Sequence, residues 1–228
     1  MSTDAHHRRS PHAAANAARA GVARIAPSLF ARSNPFVDLL WEADSRGLCM
    51  SYGCTDCGAL GFRRELARLE GEPDDAPLNA PVRDAEAPPA PAGPLALALA
   101  AIDFDQLRLA PHWHDALAIA LLRLRERGQL AAVIDAWVRR ETIPVRVLDL
   151  VLLRHARYGF PDERLSDLWI ERCLDAIATT QDEGLVETMI LSCPERIGAD
   201  PRAYRAAAET AQRSACVRSL MGRLGECA

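Results

Sequence analysis

From residue 94 to the C-terminus, glycine and proline cut the chain into helix-length pieces. Gly128, Gly159 and Gly198 each follow an amphipathic stretch, and Pro144, Pro161 and Pro201 stand where the next one begins. Glycine ends helices because it enters the left-handed region without a Cβ clash, and proline starts them because the first turn has no use for its missing N–H. This punctuation predicts helices at 94–109, 112–127, 129–141, 144–158, 161–179, 181–193 and 200–225. Connections this short force consecutive helices to run antiparallel. Ala and Leu are abundant, β-branched residues are sparse and only 5% of residues are aromatic, a balance that favours helix over strand. The expected fold class is all-α: a helical bundle or a helix-pair (HEAT-like) array, joined to a small Cys-rich N-terminal metal module. Leu121-Leu122-Arg123 before Gly128 is echoed by Leu152-Leu153-Arg154 before Gly159, an offset of 31 residues that suits a helix-pair repeat. A closed bundle remains the alternative.

The clearest boundary is 71–94, which holds seven of the fifteen prolines among Gly, Ala, Asp and Glu. With little to bury, and with prolines that forbid helix, it reads as an extended, solvated linker. The chain therefore divides into a loosely ordered segment at 1–33, a Cys-rich helix-knuckle-helix module at 34–70, the linker at 71–94 and a helical domain at 95–228. In the module, Asn34-Pro35 is a cap followed by proline at the first helical position, and Phe36, Leu39, Leu40 and Ala43 form one apolar stripe. Gly47 closes that helix. A second begins near Gly61, with Phe62, Leu66 and Leu69 inward and Arg63, Arg64 and Arg68 outward.

Between these helices lies the stretch whose spacing calls for chemistry. Cys49, Cys54 and Cys57, with Gly58 directly after, place a Cys-x-x-Cys-Gly turn beside a third thiol. Such a turn aims two thiolates at one point, as in zinc knuckles. Zinc needs four tetrahedral N or S ligands, and the fourth would come from elsewhere. Cys193, which precedes Pro194 in an interhelical loop, and His112 or His114 at a helix start are the candidates, with Cys193 and His114 taken into the expected ligand set. An iron–sulfur cluster is the alternative cofactor, since Cys-x4-Cys-x2-Cys is also a ferredoxin spacing, although those loops sit on strand-rich folds. A redox Cys-x-x-Cys would follow a strand, and none is expected before Cys54.

The remaining residues read as structure. His112 and His114 lie two apart, so on a helix they project about 200° from one another and cannot share an ion. Trp113, Trp137 and Trp169 fall one in each of three helices and are expected in the core. Asp162, Glu163, Asp167 and Glu171 alternate with Arg164 and Arg172 as a solvated face. There is no phosphate loop, dinucleotide glycine signature or His-Glu-x-x-His, and no catalytic set emerges.

The net charge of −4 conceals nine arginines against six acids at 1–69 and one against six at 70–88. No segment is basic enough to announce nucleic acid by charge alone. All 27 basic residues are arginine. Seven cysteines, three of them crowded together, suit a reducing compartment, and no apolar run is long enough to span a bilayer, so the expected location is cytoplasmic. The Arg- and Ala-rich residues 1–33 also have the composition of an organellar transit peptide.

The expectation is a non-enzymatic interaction or adaptor protein with a structural zinc site, its partner another protein. The alternatives are an iron–sulfur redox or sensor protein, and a zinc-dependent nucleic-acid-binding protein reaching phosphate through Arg63, Arg64 and Arg68.

Overall fold

The Asn34-Pro35 cap behaves as the sequence predicts. The Asn34 side chain accepts hydrogen bonds from the backbone N–H of Phe36 at 3.0 Å and of Val37 at 3.4 Å, and α1 runs Pro35–Ser45. Gly47, at φ +67°, ends it with paired bonds from Gly47 N–H to the Asp44 carbonyl and from Leu48 N–H to the Ala43 carbonyl. The computed structural model describes residues 34–50, 59–73, 90–159 and 162–224, all within one compact unit, Asn34–Ala228. The expected loose segment 1–33, Cys54, Cys57, Pro161 and most of the expected linker, 74–89, lie outside the described residues.

Among the described residues every regular element is a helix. After α1 come α2 (Ala59–Leu69), α3 (Pro94–Ala100), α4 (Phe104–Leu109), α5 (Trp113–Glu126) and α6 (Leu130–Val138). They are followed by α7 (Val145–Tyr158), α8 (Glu163–Thr180), α9 (Glu183–Ser192), α10 (Pro194–Ala199), α11 (Pro201–Arg213) and α12 (Ala215–Leu224). Packing partners fall into two series. Helices α5, α7, α9 and α12 lie successively side by side, as do α3, α6, α8 and α11, and α5–α6, α7–α8 and α11–α12 pack across the two series. The α1–α2 hairpin covers α3, with α2 also meeting α5. One apolar core runs from Phe36, Leu40 and Phe62 through Trp137 and Trp169 to Val217.

Polar ties hold neighbouring helices in register. Trp137 and Trp169 are fully buried, and their indole N–H groups donate to the carbonyls of Leu99 at 2.7 Å and Leu148 at 3.3 Å. Arg140 donates to the carbonyls of Ala100 and Ile102 just past α3, with its guanidinium 4.8 Å from the centre of the Phe104 ring. Arg172 repeats the device one helix on, donating to the carbonyls of Val138 and Arg140 at 2.9–3.1 Å. The last carbonyls of a helix lack partners within it, so an arginine from the next helix both satisfies them and meets the negative end of the dipole. Arg172 is thus part-buried and structural, a correction to its expected place on a solvated face.

Several predicted boundaries shift for local reasons. The stretch 94–109 is two helices, because the Asp103 side chain accepts from Asp105 and Gln106 N–H and starts α4 anew. The stretch 200–225 breaks at Ser214, whose extended backbone (φ −111°, ψ 122°) separates α11 from α12 and whose hydroxyl accepts from Val217 N–H. Cys193, kept out of the helical region before Pro194 (φ −144°, ψ 59°), ends α9, and the expected loop after it is the short α10, with Gly198 inside it. His112 stands before α5 at φ 51° rather than within a helix.

Candidate functional site

The chemistry-bearing residues gather around the α1–α2 hairpin. Cys49 follows the glycine turn that ends α1 and is half-buried, while Met50 beside it is buried in the core. The Cys54 and Cys57 positions fall on the same connection, between Met50 and the start of α2. Glu65 on α2 is a buried carboxylate bonded to Arg46 at 2.9 Å and Arg68 at 2.8 Å, which closes the hairpin. Arg68 is therefore engaged within the protein; Arg63 is half-buried and Arg64 exposed on the same helix.

The segment leaving α2 is anchored, not solvated, where it is described. Glu70 and Glu72 receive Arg123 at 2.7 Å each, and Arg127 also reaches both. Burial pushes the Glu70 carboxyl above its ordinary range, and its bond to Arg123 and the Arg123 and Arg127 charges pull it back. At the far end of the linker, Ala90 N–H donates to the Gly128 carbonyl and the Gln129 side chain donates to the Pro91 carbonyl. Both ends of residues 74–89 are thus held at the C-terminal end of α5.

The other expected ligands lie apart. His114 is half-exposed on the first turn of α5, edge-on to Trp113 and 3.8 Å from Asp115. His112 sits 3.8 Å from Asp44, which places the start of α5 beside the end of α1. Cys193 is buried where α9 meets α10, and its thiol is pushed up by that burial. Cys173 is raised more strongly, first by burial and then by the nearby charges of Asp149 and Cys193. Among the described residues no three His, Cys, Asp or Glu side chains converge on a point that could hold a metal, so the structure does not bring Cys193 and His114 together with Cys49.

A shallow cleft of about 530 Å³ opens where the α3–α4 and α6–α7 turns meet, lined by Asp103, Phe104, Arg108, Arg140 and Glu141. Arg140 is spent on the Ala100 and Ile102 carbonyls and Asp103 on capping α4. The lining holds no histidine or cysteine. Among the described residues no helix is long and apolar enough to cross a membrane. Leu97, Leu109, Leu153 and Leu191 are exposed, each on a helix that also buries apolar residues, so hydrophobic spacing alone does not mark them. Compared with known proteins, the chain matches no family model, no curated protein and no solved structure.

Proposed function

We propose that the protein is a non-enzymatic interaction protein, a helix-pair (HEAT-like) array that presents its helices to another protein, with a structural zinc ion held on the α1–α2 connection. The observation that carries this reading is the pair of side-by-side helix series, α5, α7, α9, α12 and α3, α6, α8, α11, in which helices pack mainly on near neighbours. That arrangement leaves long faces for a partner. The ionisable groups support it too, since buried Arg123 and the part-buried Arg140 and Arg172 are spent on internal ties. Zinc is read from Cys49, Cys54 and Cys57 on one short connection. The fourth donor is read as Cys193 or His114.

Affinity purification of the tagged full chain from nuclease-treated extract, with metal analysis of the product, tests both halves. The expected result is one protein partner in stoichiometric amount and one zinc per chain, with the zinc lost in Cys54→Ser. Colourless, metal-free protein overturns the zinc half, and brown protein with visible absorbance replaces it by iron–sulfur. A chain that recovers no protein in any condition overturns the interaction half.

A further inference from the structure

We draw no further inference here: the strongest candidate, the cleft between the α3–α4 and α6–α7 turns lined by the exposed Asp105, Arg108 and Glu141, is a shallow surface hollow where charges of both signs meet, and nothing in the structure shows what would occupy it.

Discussion

Replacing Arg123 by methionine tests whether the segment after α2 is held by charge. The Arg123 side chain is 5% exposed, and its Nε and Nη2 lie 2.7 Å from Glu70 and Glu72, whose side chains are 6% and 14% exposed. Methionine fills most of the volume but leaves the Glu70 carboxylate buried with only Arg127, at 3.3 Å, to answer it. Breaking one side of a buried pair costs about 3–5 kcal/mol, and the remaining arginine places the loss near the lower bound, at about 3 kcal/mol. For a unit of this size each kcal/mol moves Tm by about 2–4 °C, so a drop of about 6–12 °C is expected by calorimetry. Glu70→Gln added to Arg123→Met removes the stranded charge and recovers about half the loss. The pH dependence has a definite sign. A carboxyl raised in the folded state adds stability below its unfolded value and loses it as pH rises through the folded one. Deleting Arg123 removes the strongest influences that lower Glu70, so its carboxyl rises further and the damage is larger at pH 7 than at pH 5. An equal loss at both pH values, or no recovery with Glu70→Gln, would refute the reasoning.

Asn34→Ala removes both the cap of α1 and the 2.8 Å bond from Asn34 Nδ2 to the Ala98 carbonyl, and urea denaturation should show a loss of about 1–2 kcal/mol. Asn34→Asp keeps the cap and loses only the donor, so its loss is smaller. Arg172→Met forfeits three hydrogen bonds to two carbonyls and is expected to cost about 2 kcal/mol in the same assay. Arg172→Lys should recover less than half of that, because an ammonium lacks the fork that spans both oxygens. The Cys216 thiol is exposed yet raised, first by its bond to Glu187 and then by desolvation and the Glu187 and Glu183 charges. Glu187→Gln should speed its reaction with an aromatic disulfide several-fold at pH 8, while Cys173 and Cys193 stay silent until the protein unfolds.

Features set by one residue's backbone or cap were legible before any coordinates. Asn34-Pro35 opened α1, Gly47 closed it, and Gly128 and Gly159 take the positive φ that a helix end demands. What escaped were breaks made by side chains that compete for the backbone. Asp103 and Ser214 interrupt patterns whose apolar period runs on unbroken, since hydrophobic spacing does not register a cap inside it. The fate of the arginines was equally hidden. Arg46, Arg123 and Arg172 look alike in sequence, yet one ties a hairpin, one anchors a linker and one caps a neighbouring helix, because each depends on contacts with residues far away along the chain. The cysteine spacing was plain, but Cys54 and Cys57 lie outside the described residues, and Cys49, His114 and Cys193 do not converge among those described.

A second echo explains how the helices keep register. Asp135-Ala-Trp137-Val-Arg-Arg140 and Asp167-Leu-Trp169-Ile-Glu-Arg172 repeat at 32 residues, beside the 31-residue echo of Leu-Leu-Arg. The two echoes belong to different helix series: Leu-Leu-Arg lies on α5 and α7, and Asp-x-Trp-x-x-Arg on α8 and on α6 with the turn that follows it. Nearly equal offsets on both series mean that the repeating unit is one helix pair. In each unit the tryptophan fills the core while its N–H meets a neighbouring carbonyl, and the arginine three residues on caps the preceding helix of its own series. One turn of sequence thus supplies both apolar volume and directional bonds, which sets how far each pair can slide on the last. The position 32 residues after Arg172 is Tyr204, which is exposed, and α11 carries no tryptophan. There Ala203, Ala206, Ala207 and Ala211 are buried instead, so α11 approaches α8 and α12 through small side chains. The insertion of α10 lengthens that last pair, so the echo stops where the spacing that sustained it changes.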